Sequence, residues 1–136
     1  MTEIEALQAT LAGEHAALYG VGVAGGKLKG ARFGAATTLY ELHRKRRDQL
    51  AGFLLDAGET PVAAAAAYDL PQAVTGTTTA SALVLLIERR LTAVYGDLVE
   101  AAEQVPVRAF AVQALVDCSR TQLSWGGSPA AFPGDA

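Results

Sequence analysis

Only two histidines and one cysteine occur in this chain, His15, His43 and Cys118, so any catalytic or metal chemistry must rest on very few groups. Glu14 falls in the middle of a stripe of Leu7, Leu11, Leu18 and Val21, which recur at helical spacing, while His15 lies on its flank. A second stripe is Phe33, Ala36, Tyr40, Leu50 and Leu54. It takes in His43 and Arg47 of the run ELHRKRRDQL. Glu41, Lys45 and Asp48 point away from it, and Arg44 and Arg46 stand at its margins. A buried Glu14 without a partner would cost several kcal/mol, so His43, Arg47 or a metal ion is expected beside it. Farther along, Glu88 and Tyr95 flank a face of Ala80, Val84, Ile87, Leu91, Val94 and Leu98. Cys118 shares a face with Val107, Phe110, Ala111, Ala114 and Trp125, with Asp117 on the margin.

The candidate site is therefore Glu14, His43, Arg47 and Glu88, with Glu14 and His43 as the pair able to ligate a metal. Three chemistries fit these residue types. A polar cluster fixing helix register is one; a mononuclear metal or small-ligand site is another; a proton-transfer site is the third.

Four helices position these groups. The first begins after Thr2, an N-cap with Glu5 at capping-box spacing, and ends at the glycines of GGKLKG. The second is expected from Ala31 to Ala57 with Gly58 at its C′ position. The third follows Thr77, Thr78 and Thr79 and reaches about Gln104, and the fourth runs from Pro106 to about Trp125. Short connections make the first and second helices, and likewise the third and fourth, antiparallel hairpins. A hairpin turning in GGKLKG puts Glu14 level with His43. The connection from Gly58 to Gly76 contains Pro61, Pro71 and the alanine-rich VAAAAAY, read as a short helix, and is long enough to cross the bundle. The chain thus reads as one all-α domain, a four-helix bundle over residues 1–126 of two hairpins joined by a long crossover, with an extended tail over 127–136. Trp125 and Phe132 are expected to anchor that tail on the bundle or on a second subunit.

EHAALYGVG, HRKRRD, the AAYDLP of the crossover, Glu88 and the closing W…FPG together resemble the small bacterial ferritin-like proteins of unknown function, over nearly the whole chain. The resemblance implies a ferritin-like bundle. In the di-iron members of that fold, a Glu on one helix and Glu-x-x-His on the next are repeated in both hairpins. Here Glu14 and Glu88 stand where the single glutamates would be. Glu41-x-x-Arg44 and Asp117-x-x-Arg120 carry arginine in place of both histidines. The resemblance thus implies a bundle without a complete di-iron ligand set.

A net charge of −3 and basic residues without interleaved aromatics argue against nucleic acid and anionic membrane as partners. No phosphate loop ending in GK[ST] follows a strand, and two histidines leave no nucleophile triad. Cys118 reads as an inert core thiol, and Tyr19, Tyr40 and Tyr95 as core aromatics. The acidic N-terminus lacks the basic and apolar regions of a signal peptide, so a cytoplasmic protein is expected. The expected role is a non-catalytic structural or interaction protein, a homodimer with no cofactor. The alternative is a metal-binding or oxidoreductase protein holding iron or manganese on the reduced carboxylate and histidine site.

Overall fold

The computed structural model describes residues 1–134. It is built from four helices, α1 (Glu3–Gly25), α2 (Gly30–Asp56), α3 (Thr77–Ala101) and α4 (Val105–Ser124). No strand occurs among the described residues. The tail expected at Asp135 and Ala136 lies outside them.

Local chemistry sets most of the boundaries. The Thr2 hydroxyl accepts from the Glu5 N–H at 3.1 Å, and the Glu5 carboxylate accepts from the Thr2 N–H at 2.7 Å, completing the capping box of α1. Gly58, at φ 79°, ends α2. Its N–H donates to the Leu55 carbonyl, and that of Glu59 reaches back to Leu54 at 2.9 Å, a Schellman closure that needs a left-handed residue. The Thr79 hydroxyl accepts from the Thr75 and Gly76 amides ahead of α3. The Glu3 carboxylate of α1 accepts from the Glu103 and Gln104 amides at 2.6 and 2.9 Å, tying the start of α1 to the start of α4.

The helices pair as α1 with α2, α3 with α4, and α1 with α3. Gly13 faces Leu91 and Val94, whereas Gly20 faces Leu83 and Ile87, so α1 and α3 run antiparallel. The order is up, down, down, up, which requires the chain to return the full length of the bundle between α2 and α3. It does so along α1. Gln8 brackets Thr60 and Val62 with two hydrogen bonds of 2.8 Å, His15 Nε2–H donates to the Val62 carbonyl at 2.9 Å, and Tyr68 packs on Tyr19 at 5.8 Å between ring centroids. VAAAAAY is not helical. Five alanines between two prolines do not recover the cost of nucleating a helix, and side chains of α1 bind the extended backbone instead.

Two apolar clusters fill the interior. One gathers Leu7, Leu11, Leu50, Leu54, Leu98 and Val107, and the other Val21, Leu28, Leu39, Leu83, Val84 and Trp125. The polar residues described next lie where one gives way to the other. Past α4 the backbone is irregular and turns back over α3 and α4, with Gly134 against Gly96. Trp125 is buried and belongs to the core, but Phe132 is 75% exposed and anchors nothing on the bundle.

Candidate functional site

Helix α2 supplies the centre of the site. Its inner line is Ala36, Leu39, His43, Arg46, Leu50 and Leu54, all buried. The sequence reading, set by Phe33 and Tyr40, was rotated from this line. Phe33 is 49% exposed and Tyr40 only half-buried. The displacement changes which arginine enters. Arg46 is buried, whereas Arg47 lies at the margin and pairs with its neighbour Asp48 at 3.0 Å. Arg47 therefore leaves the candidate site, and Arg46 takes the place expected of it.

Glu14 from α1, His43 from α2 and Glu88 from α3 are each 0% exposed. His43 Nδ1–H donates to Glu14 Oε2 at 2.6 Å, and Nε2–H donates to Glu88 Oε1 at 2.7 Å. An imidazole that donates from both ring nitrogens is an imidazolium. Burial by itself would lower the His43 pKa, but the two carboxylate hydrogen bonds and charges outweigh it and raise it to about 9. The other oxygen of Glu14 accepts from the Tyr95 hydroxyl at 2.6 Å. Burial, followed by the Glu14 charge and hydrogen bond, raises the Tyr95 pKa well above its ordinary value and keeps that donor protonated.

Arg46 closes the cluster toward α4. Its guanidinium donates to Cys118 Sγ and to Asp117 Oδ2, each at 3.5 Å, and lies 5.9 Å from the Tyr95 ring centroid. Two buried carboxylates thus share the interior with two buried cations, His43 bonding both directly and Arg46 acting on them through its charge. Burial, and after it the Glu88 charge, pushes the Cys118 thiol well up, so it is a neutral thiol rather than a nucleophilic thiolate. Behind Glu88, Gln122 donates to the Thr92 hydroxyl at 2.7 Å, and Thr92 donates to the Glu88 carbonyl at 2.7 Å. These bonds fix the turn of α3 that presents the carboxylate.

Tyr95, Arg46 and Thr92 were absent from the candidate set. A signal existed for Tyr95: it stands seven residues after Glu88, two turns along the same helix face. Asp117 is at the edge, and Glu41 with Arg44 form a surface pair at 3.2 Å, so the second helix of each hairpin presents no inward carboxylate–histidine motif.

The donor set does not fit a metal centre. Both ring nitrogens of His43 carry protons held by carboxylates, both oxygens of Glu14 are engaged, and Arg46 adds positive charge. Glu88 Oε2 is the one buried side-chain oxygen without a partner among the described residues, and a single free oxygen is not a coordination sphere. No group of three or more His, Cys, Asp or Glu side chains suited to holding an ion occurs among the described residues. Nor is any described helix long and apolar enough to cross a membrane.

Four helices in two hairpins joined by a long crossover make this an all-α four-helix bundle. Residues 6–136 match the model of the family described as a domain of unknown function, DUF4439, and the chain belongs to that family. Among solved structures it is similar to a conserved hypothetical protein, rv2844, from Mycobacterium tuberculosis, seen in a crystal structure. That likeness has 32% identity, 96% coverage of each chain and a TM-score of 0.88. No curated protein matches the sequence.

Proposed function

We propose that this chain is a ferritin-like bundle in which a buried, charge-balanced network stands where a di-iron centre would otherwise be, and that it acts as a structural or interaction protein without catalysis. The observation that carries this reading is the double engagement of His43, whose two N–H groups are both taken by glutamates. The reversed second hairpin and long crossover support the ferritin-like part. An imidazolium and a guanidinium supply inside the bundle the positive charge that metal ions would bring.

A homodimer is supported by the outer face of α4. Val105, Val112, Val116 and Leu123 are exposed there, opposite the buried Val107, Ala111, Ala114 and Cys118. They are spaced symmetrically about Ala114, so an antiparallel copy of α4 would set Val112 against Val116 and Val105 against Leu123.

Elemental analysis of untagged wild type, Glu14→Ala and His43→Ala tests the first part. The expected result is no stoichiometric metal in any of them and reduced stability in both variants. Iron or manganese at about one equivalent or more in the wild type, lost in both variants, would overturn it in favour of the metal-binding alternative. Sedimentation velocity tests the second part, with Val112→Glu and Val116→Glu together expected to yield monomer from dimer.

A further inference from the structure

We propose that the cleft between the C-terminal segment and the α3–α4 groove binds a small organic anion with an apolar body. Its volume is about 470 Å³, within the range of small-molecule sites. Arg89 of α3 and Arg120 of α4 line it from opposite sides. Both side chains are exposed, and neither has an ion pair or hydrogen bond among the described residues, whereas Arg44, Arg46 and Arg47 each face a carboxylate. No Asp or Glu lines the cleft among the described residues. In a chain of net charge −3, two guanidiniums facing one cavity without a carboxylate partner among the described residues form a local reversal of sign, and guanidinium is the side chain best shaped to grip a carboxylate, sulfonate or phosphate.

The rest of the wall mixes apolar residues with the uncharged polar Thr92, Ser119, Gln122 and Ser128. Phe132 stands at it, 75% exposed, with Pro129 and Pro133 beside it. An aromatic ring left this open beside a cavity gains from covering by a ligand of similar character. Thr92 and Gln122, already bonded to each other, also line the cleft.

The cleft is a built feature of the fold. Trp125 is buried, its ring covered by the Arg32 guanidinium at 4.6 Å, and Arg32 also donates to the Ser124 carbonyl at 2.9 Å. The chain then reverses through Gly126, at φ 93°, and the Gly127 N–H donates to the Gln122 carbonyl at 2.8 Å. The far end is seated on α3 by a glycine contact. A Cβ on Gly96 would stand 3.1 Å from the Gly134 carbonyl oxygen and 3.2 Å from its Cα, a contact tight enough that any larger residue there must push the strap outward. The segment from Trp125 to Gly134 is therefore held at both ends and spans the groove as a strap.

The test uses the full-length chain and two probes of similar body, the anion 1-anilinonaphthalene-8-sulfonate and the neutral N-phenyl-1-naphthylamine, followed by fluorescence. The sulfonate should bind saturably at one site, be displaced by decanoate, and weaken as salt is raised. Arg89→Met with Arg120→Met should weaken it about tenfold or more while leaving the neutral probe unchanged. Gly96→Leu, which would place a side chain where the strap now lies but keeps both arginines, should weaken both probes. Circular dichroism should show both variants folded, since the two arginines are exposed and the strap lies outside the helices. Absence of saturable sulfonate binding, equal affinity for the two probes, or unchanged sulfonate affinity in the double arginine variant would each overturn the proposal.

Discussion

The proton on His43 should make the fold measurably less stable as pH rises through neutrality. In the unfolded chain this imidazole titrates near 6.5, and in the bundle near 9. A pKa raised on folding means that the native state holds the proton more tightly, so the stabilisation is fully present below about 6.5 and is lost as pH rises toward 9. The full difference corresponds to about 3 kcal/mol, of which about 2 kcal/mol disappears between pH 6 and pH 8.5. Stopping at pH 8.5 keeps the other titrations small. Cys118 is also held protonated in the native state, and it removes stability in the same direction once the unfolded thiol begins to ionise near 8.5. Tyr95 does so only near pH 10. Cys118→Ala removes the first of these outright.

Urea unfolding at pH 6.0, 7.0 and 8.5 is the assay. With a slope of about 2 kcal/mol per M, the midpoint should fall by about 1 M across that range. Glu88→Gln, which removes one of the two carboxylates holding the proton, should shrink the fall substantially. His43→Leu leaves Glu14 and Glu88 without the cation between them and should cost about 3–5 kcal/mol at pH 7. A midpoint flat from pH 6 to 8.5, or a fall equally steep in Glu88→Gln and the wild type, would refute a buried imidazolium.

Two further substitutions probe the packing. Arg46→Met should destabilise by about 3 kcal/mol, since it leaves Glu14 and Glu88 with a single neighbouring cation, whereas Arg47→Met should change stability by no more than about 0.5 kcal/mol; urea midpoints at pH 7 distinguish them. Gly20→Ala would place a Cβ 2.6 Å from Ile87 Cδ1 where α1 crosses α3; with only that side-chain tip to move and a helix gain to offset it, the net cost should stay within about 1 kcal/mol, and adding Ile87→Val should remove it, as a double-mutant cycle would show.

How much of this was legible in the sequence depended on what each helix presents to the wheel. In α1 the apolar positions are four large residues, and no other face competes, so Glu14 could only point inward. The glycine-rich turn then fixed the hairpin register, and with it the meeting of Glu14 and His43, because antiparallel helices joined by a short loop have no freedom to slide. In α2 that constraint was missing. Between Gly30 and Leu50 it carries aromatic, small and charged residues in mixture, and Tyr40 outweighs Leu39 in bulk, so the apparent stripe was drawn through the wrong neighbour. One residue on a helix is 100°, enough to exchange Arg46 for Arg47. Leu39, at three- and four-residue intervals from Ala36 and His43, was the signal that would have corrected it. Glu88 was left at a margin for a different reason. Its burial is not favoured by the apolar pattern of α3, which offers enough aliphatic residues to fill the interior without it. The carboxylate is inward because His43 bonds it there, so its position is set by a residue 45 positions away in the chain. A buried ionic layer is therefore readable from one helix only when that helix has no alternative face, and otherwise only once its partners are in place.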